Sequence, residues 1–354
     1  MVNLDGPAAY PAVDTDDMLR YLRGFPRQVE AAWEAARAIE LAPKYADIFS
    51  LVILGVGAAA AAGDLVRGLV AHRAQIPVVV SRGYDLPAFV GPDSLVIAVS
   101  HSGNTEETLV PFEEAADRGA KLVIVAGGGA LVERATRHRA PLLTYPAELD
   151  TKPRTALGYL FASLLTVAHN VHLTPNPDTD IAEAVALLAE TQANWIPETP
   201  VERNLAKQVA GLLHGRVPAI YGAGIMTGVA GWWRGQLNAN AKVPAFADAP
   251  PEVNHLATVG YAGGAAHLAV VQLRSSFDHP RLSAHWTVTN DLLAQHGVPS
   301  EVVEVRGQNR LAQVLWAVAL GDWVSYYLAL LNDTDPTAED AITYLKRHLV
   351  QRIP

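Results

Sequence analysis

Residues 95–108 read LVIAVSHSGNTEET, an apolar run that ends in a polar turn. The spacing predicts a fully buried strand over residues 95–99, a turn made by Ser100, Ser102, Gly103, Asn104 and Thr105, and a helix opening at Glu106 and Glu107. A strand–turn–helix junction aims unpaired backbone N–H groups and hydroxyls at one point, which suits a phosphate. Ser, Asn and Thr also cap helices without any ligand. Four such side chains between positions 100 and 105 exceed what one cap needs, and this favours the phosphate reading.

Working outward, the same pattern repeats. A helix is expected over residues 16–38, where Leu19, Leu22, Phe25, Val29, Trp33 and Ala36 recur at helical spacing. A strand at 51–54 runs into GVGAAAAAGDLVRGLVA, a Gly-rich turn with an Ala-rich helix, and strands follow at 78–80, 122–125 and 142–145. Alternating short buried strands and helices imply a parallel sheet covered on both faces, with its ligand site at the carboxyl ends of the strands, where the Ser100 turn falls.

A long apolar helix follows Lys152 and Arg154, and another is expected at 181–195. The segment IPETPVE, from residue 196, reads as a domain boundary. Beyond it VPAIYGAGIMTGVAGWW repeats the logic of SLVILGVGAAAAAGDL, strand then Gly-x-Gly then helix, as an internal duplication would. Strands at 267–273 and 301–305 and helices at 282–296, 311–331 and after Pro336 complete the chain. The expected fold class is α/β, with a helical lead over 1–45, a first domain over 46–195 and a second over 196–354, each a parallel sheet flanked by helices.

Composition narrows the function. A chain of 354 residues, half of them apolar, can bury two substantial cores. A net charge of −9 without a basic run argues against nucleic acid or an anionic membrane as partner. With no cysteine there are no disulfides or thiolate metal sites, which fits a reducing compartment. The first residues, MVNLDGPAAYPAVDTDD, lack the basic start and apolar core of a signal peptide, and no uninterrupted apolar run reaches bilayer length, so a cytoplasmic location is expected. Gly55-x-Gly57-x-x-Ala60 also suits a dinucleotide fingerprint, with Arg82 near a ribose contact, but such a protein would have no use for the Ser100 turn.

SHSGNTEET, LGVGAAAAAGDL, PRTALGYL, NANAKVPAF, PPEVNHLAT and DPTAEDAITYLKRHL, taken in collinear order, resemble the bifunctional phosphoglucose/phosphomannose isomerases of the sugar isomerase (SIS) superfamily. The resemblance implies two SIS-type three-layer domains, a homodimer with active sites shared across subunits, and aldose–ketose isomerisation between fructose 6-phosphate and glucose or mannose 6-phosphate. It implies no cofactor and no metal. The family's phosphate cradle falls on Ser100, Ser102, Asn104 and Thr105, its enediolate-stabilising arginine on Arg154, its ring-opening histidine on His255 and its C-terminal lysine on Lys346. The chemistry needs these types: proton transfers to open the ring and to pass between C1 and C2, and a fixed cation at the developing oxyanion.

Two positions depart from the family. Ala239 stands in NANAK where the family has the glutamate that shuttles the proton, and Ala59 stands beside Gly57 where the family has a serine. Losing a positioned base typically removes roughly a hundredfold to ten-thousandfold in rate. Losing a hydrogen bond to a charged group costs on the order of 1.5–3 kcal/mol. Among residues near the motif, Glu252 could replace the base or instead hold a loop or a neighbouring subunit, and Asp248 is less suited; His101 could add a phosphate donor. Turnover is therefore expected to be reduced or altered. The alternative is a catalytically inactive SIS protein that binds a sugar phosphate in a regulatory role.

Overall fold

The computed structural model describes residues 2–145, 152–263 and 265–350, so Asp150 and Thr151, at the start of the stretch before the long apolar helix, lie outside the described residues. In the first half, strands β1 (Ser50–Leu54), β2 (Val78–Ser81), β3 (Ser94–Ser100), β4 (Lys121–Ala126) and β5 (Leu142–Leu143) form one parallel sheet. Its order is β2-β1-β3-β4-β5, with Leu51 opposite Leu95 and Ile97 opposite Val123. β1 and β3 are buried along their whole length, as Leu/Val/Ile runs must be when helices cover both faces.

Alternation along each strand decides which layer a side chain meets. Val52, Val96 and Ile124 pack with Phe112 of α3 (Glu106–Asp117) and Leu131 of α4 (Ala130–His138). Leu51, Ile53, Ile97 and Val123 face the opposite layer, which holds α1 (Met18–Ala36), α2 (Ala58–Val70), α5 (Leu157–Asn170) and α6 (Asp178–Gln192). The helical lead belongs to this layer. Tyr21, Phe25, Val29 and Trp33 of α1 are buried, and Trp33 Nε1 donates to Asp178 at 2.8 Å.

After α7 (Leu205–Leu213), the second half builds a parallel sheet from β6 (Val217–Gly222), β7 (Phe246–Asp248), β8 (Leu268–Arg274) and β9 (Ser300–Glu304) in the order β7-β6-β8-β9. Apart from the extra edge strand β5, this is the strand order of the first sheet, as the repeated strand–Gly-x-Gly–helix pattern predicts. On its outer face lie α9 (Glu252–Leu256), α10 (Thr258–Tyr261) and α11 (Leu282–Gln295). On its inner face α8 (Met226–Ala241) and α12 (Arg310–Leu331) join a core that is continuous with that of the first sheet. The chain ends in α13 (Asp340–Val350).

One sequence expectation needs correction. The strand expected at 142–145 stops at Leu143, because Tyr145 leaves the sheet to stack on Tyr159, ring centroids 5.0 Å apart, and to bond His101. By length and composition α12 is apolar enough to cross a membrane, with mean hydropathy 1.5, but 94% of that window is buried inside the fold. It serves as a core helix between the two sheets.

Candidate active site

β3 delivers Ser100 to the sheet's carboxyl edge, and α3 starts at Glu106. The buried Ser100 Oγ lies 2.8 Å from Thr105 Oγ1 and 3.5 Å from Ser102 Oγ, and it accepts from Gly103 N at 3.1 Å. Thr105 occupies the N-cap position of α3, yet its side chain makes no capping hydrogen bond. Its hydroxyl turns to Ser100 instead. The capping reading therefore fails for Thr105, and the first turn of α3 keeps N–H groups for an anion.

Asn104 has a different task. Its Oδ1 accepts from Ala130 N at 2.9 Å, capping α4, while Leu131 N donates to Gly103 O at 3.0 Å. Gly103 has φ +68°, and a Cβ there would lie 1.7 Å from Gly128 O. These contacts hold the Ser100 turn against the 127–129 turn, so the hydroxyl cluster is set before any ligand arrives. The Nδ1 of His101 bonds the Tyr145 hydroxyl at 2.9 Å, which commits that nitrogen away from a phosphate.

Beside the turn, α2 begins after Gly57, whose φ is +57°. Ala59 is buried against Gly55, where an added Cβ would fall 2.9 Å from the Ala59 methyl. The Gly-x-Gly spacing thus has a packing cause. Arg82, the ribose-contact candidate, forms an ion pair with Asp64 of α2.

Arg154 lies just before α5 and is buried. Its Nη1 bonds the Glu339 carboxylate, 185 residues on, and its Nη2 donates to Pro336 O at 2.7 Å. Burial pulls its pKa below the ordinary value, against the upward pull of Glu339 and Asp335. Lys242, at the end of α8, donates to the carbonyls of Ala239 and Asp335, both at 2.8 Å. Its pKa is also lowered, first by burial and then by the charge of Arg154. A buried and an exposed cation, Arg154 and Lys242, thus meet around the 335–339 segment, and Ala239 is the residue whose backbone completes the cluster.

His255 and Glu252 are exposed on α9, and Lys346 is exposed on α13. Among the described residues no hydrogen bond or ion pair joins them to Arg154 or to the Ser100 turn. Asp248, at the end of β7, bonds the next backbone N–H, that of Ala249, at 2.7 Å. Sequence reasoning passed over Glu339 and Lys242, which the fold brings to Arg154 and to the backbone of Ala239. Both sit inside stretches that carried the resemblance, DPTAEDAITYLKRHL and NANAKVPAF, and a count of charged residues there would have flagged them.

Comparison with known proteins agrees with this layout. The SIS domain model matches residues 44–144, and the model of the bacterial phospho-glucose isomerase C-terminal SIS domain matches residues 202–349. A bifunctional phosphoglucose/phosphomannose isomerase of Caldicellulosiruptor bescii is 38% identical, covering 94% of this chain and 99% of its own length. One from Thermoplasma acidophilum is 32% identical over 85% of this chain and 89% of its own. In fold, the tagatose-6-phosphate ketose/aldose isomerase of Escherichia coli matches with a TM-score of 0.70 at 18% identity, over 90% of this chain and 94% of that one. Full-length similarity at this identity, together with the paired sheets, means that the chain belongs to the bifunctional phosphoglucose/phosphomannose isomerase family.

Proposed function

We propose that this protein interconverts fructose 6-phosphate with glucose 6-phosphate or mannose 6-phosphate by aldose–ketose isomerisation. The observation that carries the reading is the 2.8 Å contact between Ser100 Oγ and Thr105 Oγ1 at the uncapped start of α3, a ready phosphate receptor in a chain of this family. Ser100, Ser102 and Thr105 offer hydroxyls to the phosphate and Asn104 its Nδ2, since its Oδ1 caps α4, with Gly57, Ala59 and Ala239 walling the sugar. Arg154 meets the enediolate oxygen. His255 opens the ring in the site of a neighbouring subunit in a homodimer, and Lys346 assists. Exposed Leu256 and Val259 beside His255, 68% and 80% accessible, support burial against a second copy. A cytoplasmic location suits sugar-phosphate chemistry and a chain without cysteine.

A second reading, a catalytically inactive protein that binds a sugar phosphate in a regulatory role, is favoured by Ala239, since a methyl group takes no proton. A coupled isomerase assay on the three sugar phosphates, run beside a thermal-shift screen with the same compounds, separates the two. Turnover supports the first reading. A ligand shift without turnover supports the second, and no shift by any of them rejects both, because saturation at a hundredfold the Kd should add about 2.7 kcal/mol.

A further inference from the structure

We propose that Glu339 is the base that carries the proton between C1 and C2, in place of the carboxylate that α8 lacks at Ala239. The proposal rests on the isomerase reading above. Its first support is position on a cation: the Glu339 carboxylate bonds Nη1 of Arg154, the buried guanidinium assigned to the enediolate. The enediolate oxygens are bonded to C1 and C2, so a carboxylate held on the same guanidinium stands next to the carbons that exchange the proton.

The second support is attachment. Lys242 Nζ donates to both Ala239 O and Asp335 O at 2.8 Å, and Arg154 Nη2 donates to Pro336 O at 2.7 Å. The 335–339 segment is therefore clamped to the end of α8 at the position of the missing side chain. Asp335 itself is occupied, since Thr15 Oγ1 and Thr337 Oγ1 each donate to it at 2.5 Å.

The third is access. The Glu339 side chain is 29% exposed, whereas Asp322, a third carboxylate near Arg154, accepts from Trp232 and Gln236 and lines a cavity of about 10 Å³ beside Tyr21, Leu22 and Phe25. That space holds about one water and no sugar.

The step balances without a further reactant. Glu339 takes the C2 proton of the open-chain aldose; the C–H pair forms the C1–C2 double bond, and the carbonyl pair moves to O1. The negative charge passes from the carboxylate to the enediolate while both face Arg154. The hydroxyl proton moves from O2 to O1, C2=O2 forms, and Glu339 returns its proton to C1.

The test compares wild type, Glu339→Gln, Glu339→Asp and Glu339→Gln combined with Ala239→Glu, by kcat and by exchange of C2 deuterium from labelled glucose 6-phosphate into water. Glu339→Gln keeps an acceptor for Arg154, and an unchanged thermal shift with fructose 6-phosphate checks that it folds and binds. We expect kcat and exchange to fall together by roughly a hundredfold to ten-thousandfold, Glu339→Asp to lie between, and Ala239→Glu to restore both. An active wild type whose Glu339→Gln variant folds, binds and exchanges at the same rate overturns the assignment of the base alone. A wild type with no turnover overturns the isomerase reading and this proposal with it.

Discussion

Trp232 Nε1 donates to Oδ1 of Asp322 at 2.7 Å, tying α8 to α12 inside the core, and Gln236 Nε2 donates to the same oxygen at 2.8 Å. Burial pushes the Asp322 carboxyl up to about 7, although both hydrogen bonds pull it down. A folded pKa above the unfolded one means that the native state holds the extra proton. Its contribution to stability is full below the ordinary carboxylate range and is lost as pH rises toward about 7, at no more than about 1.4 kcal/mol per pH unit. Asp322→Asn keeps the acceptor and removes the titration. Urea unfolding should show the variant gaining on wild type between about pH 4 and about pH 7; a constant difference across that range would mean that Asp322 does not titrate there.

The same helix pair gives a test of packing against propensity. A Cβ on Gly321 would lie 2.3 Å from Trp233 Nε1, whose N–H donates to Ala317 O at 2.8 Å. Helix propensity alone predicts that Gly321→Ala stabilises by about 1 kcal/mol. Overpacking and a displaced indole hydrogen bond predict the opposite sign, a loss of about 2–4 kcal/mol. Chemical denaturation should give the loss, and a more stable variant would mean that α8 and α12 can move apart.

The first sheet was legible because parallel strands buried on both faces leave continuous Leu/Val/Ile runs, as in 95–99 and 122–125, each closed by a turn of Gly or Ser. The Ser100 turn was legible for the same reason: its chemistry is local in sequence. β7, α9 and α10 were not, since three to five residues make too short a period to register. Nor was the pairing of Arg154 with Glu339, because a contact across 185 residues depends on how the segment before α5 meets the segment between α12 and α13 and leaves no spacing signal. Chemistry inferred from near neighbours in the chain could weigh only Glu252 and Asp248 as carboxylates for the site, and Glu252 is exposed on α9.

The phosphate reading makes a separable demand on Ser100 and Thr105. Their hydroxyls bond each other at 2.8 Å, so removing one leaves the other with a changed partner as well as removing a phosphate contact. Ser100→Ala and Thr105→Val should each raise KM for fructose 6-phosphate about tenfold to a hundredfold, the equivalent of losing one hydrogen bond to a charged group. Inorganic phosphate, as a competitive inhibitor, should weaken in parallel. If KM stays put while the melting temperature drops, the hydroxyl pair is a structural brace and the phosphate sits elsewhere.

Ala59→Ser asks whether the missing donor on α2 can be returned. Ala59 is buried in the first turn of α2, next to Gly55 and close behind Gly57, in the core layer that also holds Ile53 and Val99, so on the phosphate reading a hydroxyl there adds one donor with little change in side-chain volume. A phosphate contact is made equally in the ground state and the transition state, because the phosphate takes no part in proton transfer. Such uniform binding lowers KM and leaves kcat alone. The expected result is a KM for fructose 6-phosphate lower by about tenfold, with kcat within about twofold of wild type. A fall in kcat with KM unchanged would place position 59 against the reacting carbons rather than the phosphate, and the orientation of the sugar across Arg154 would have to be reversed.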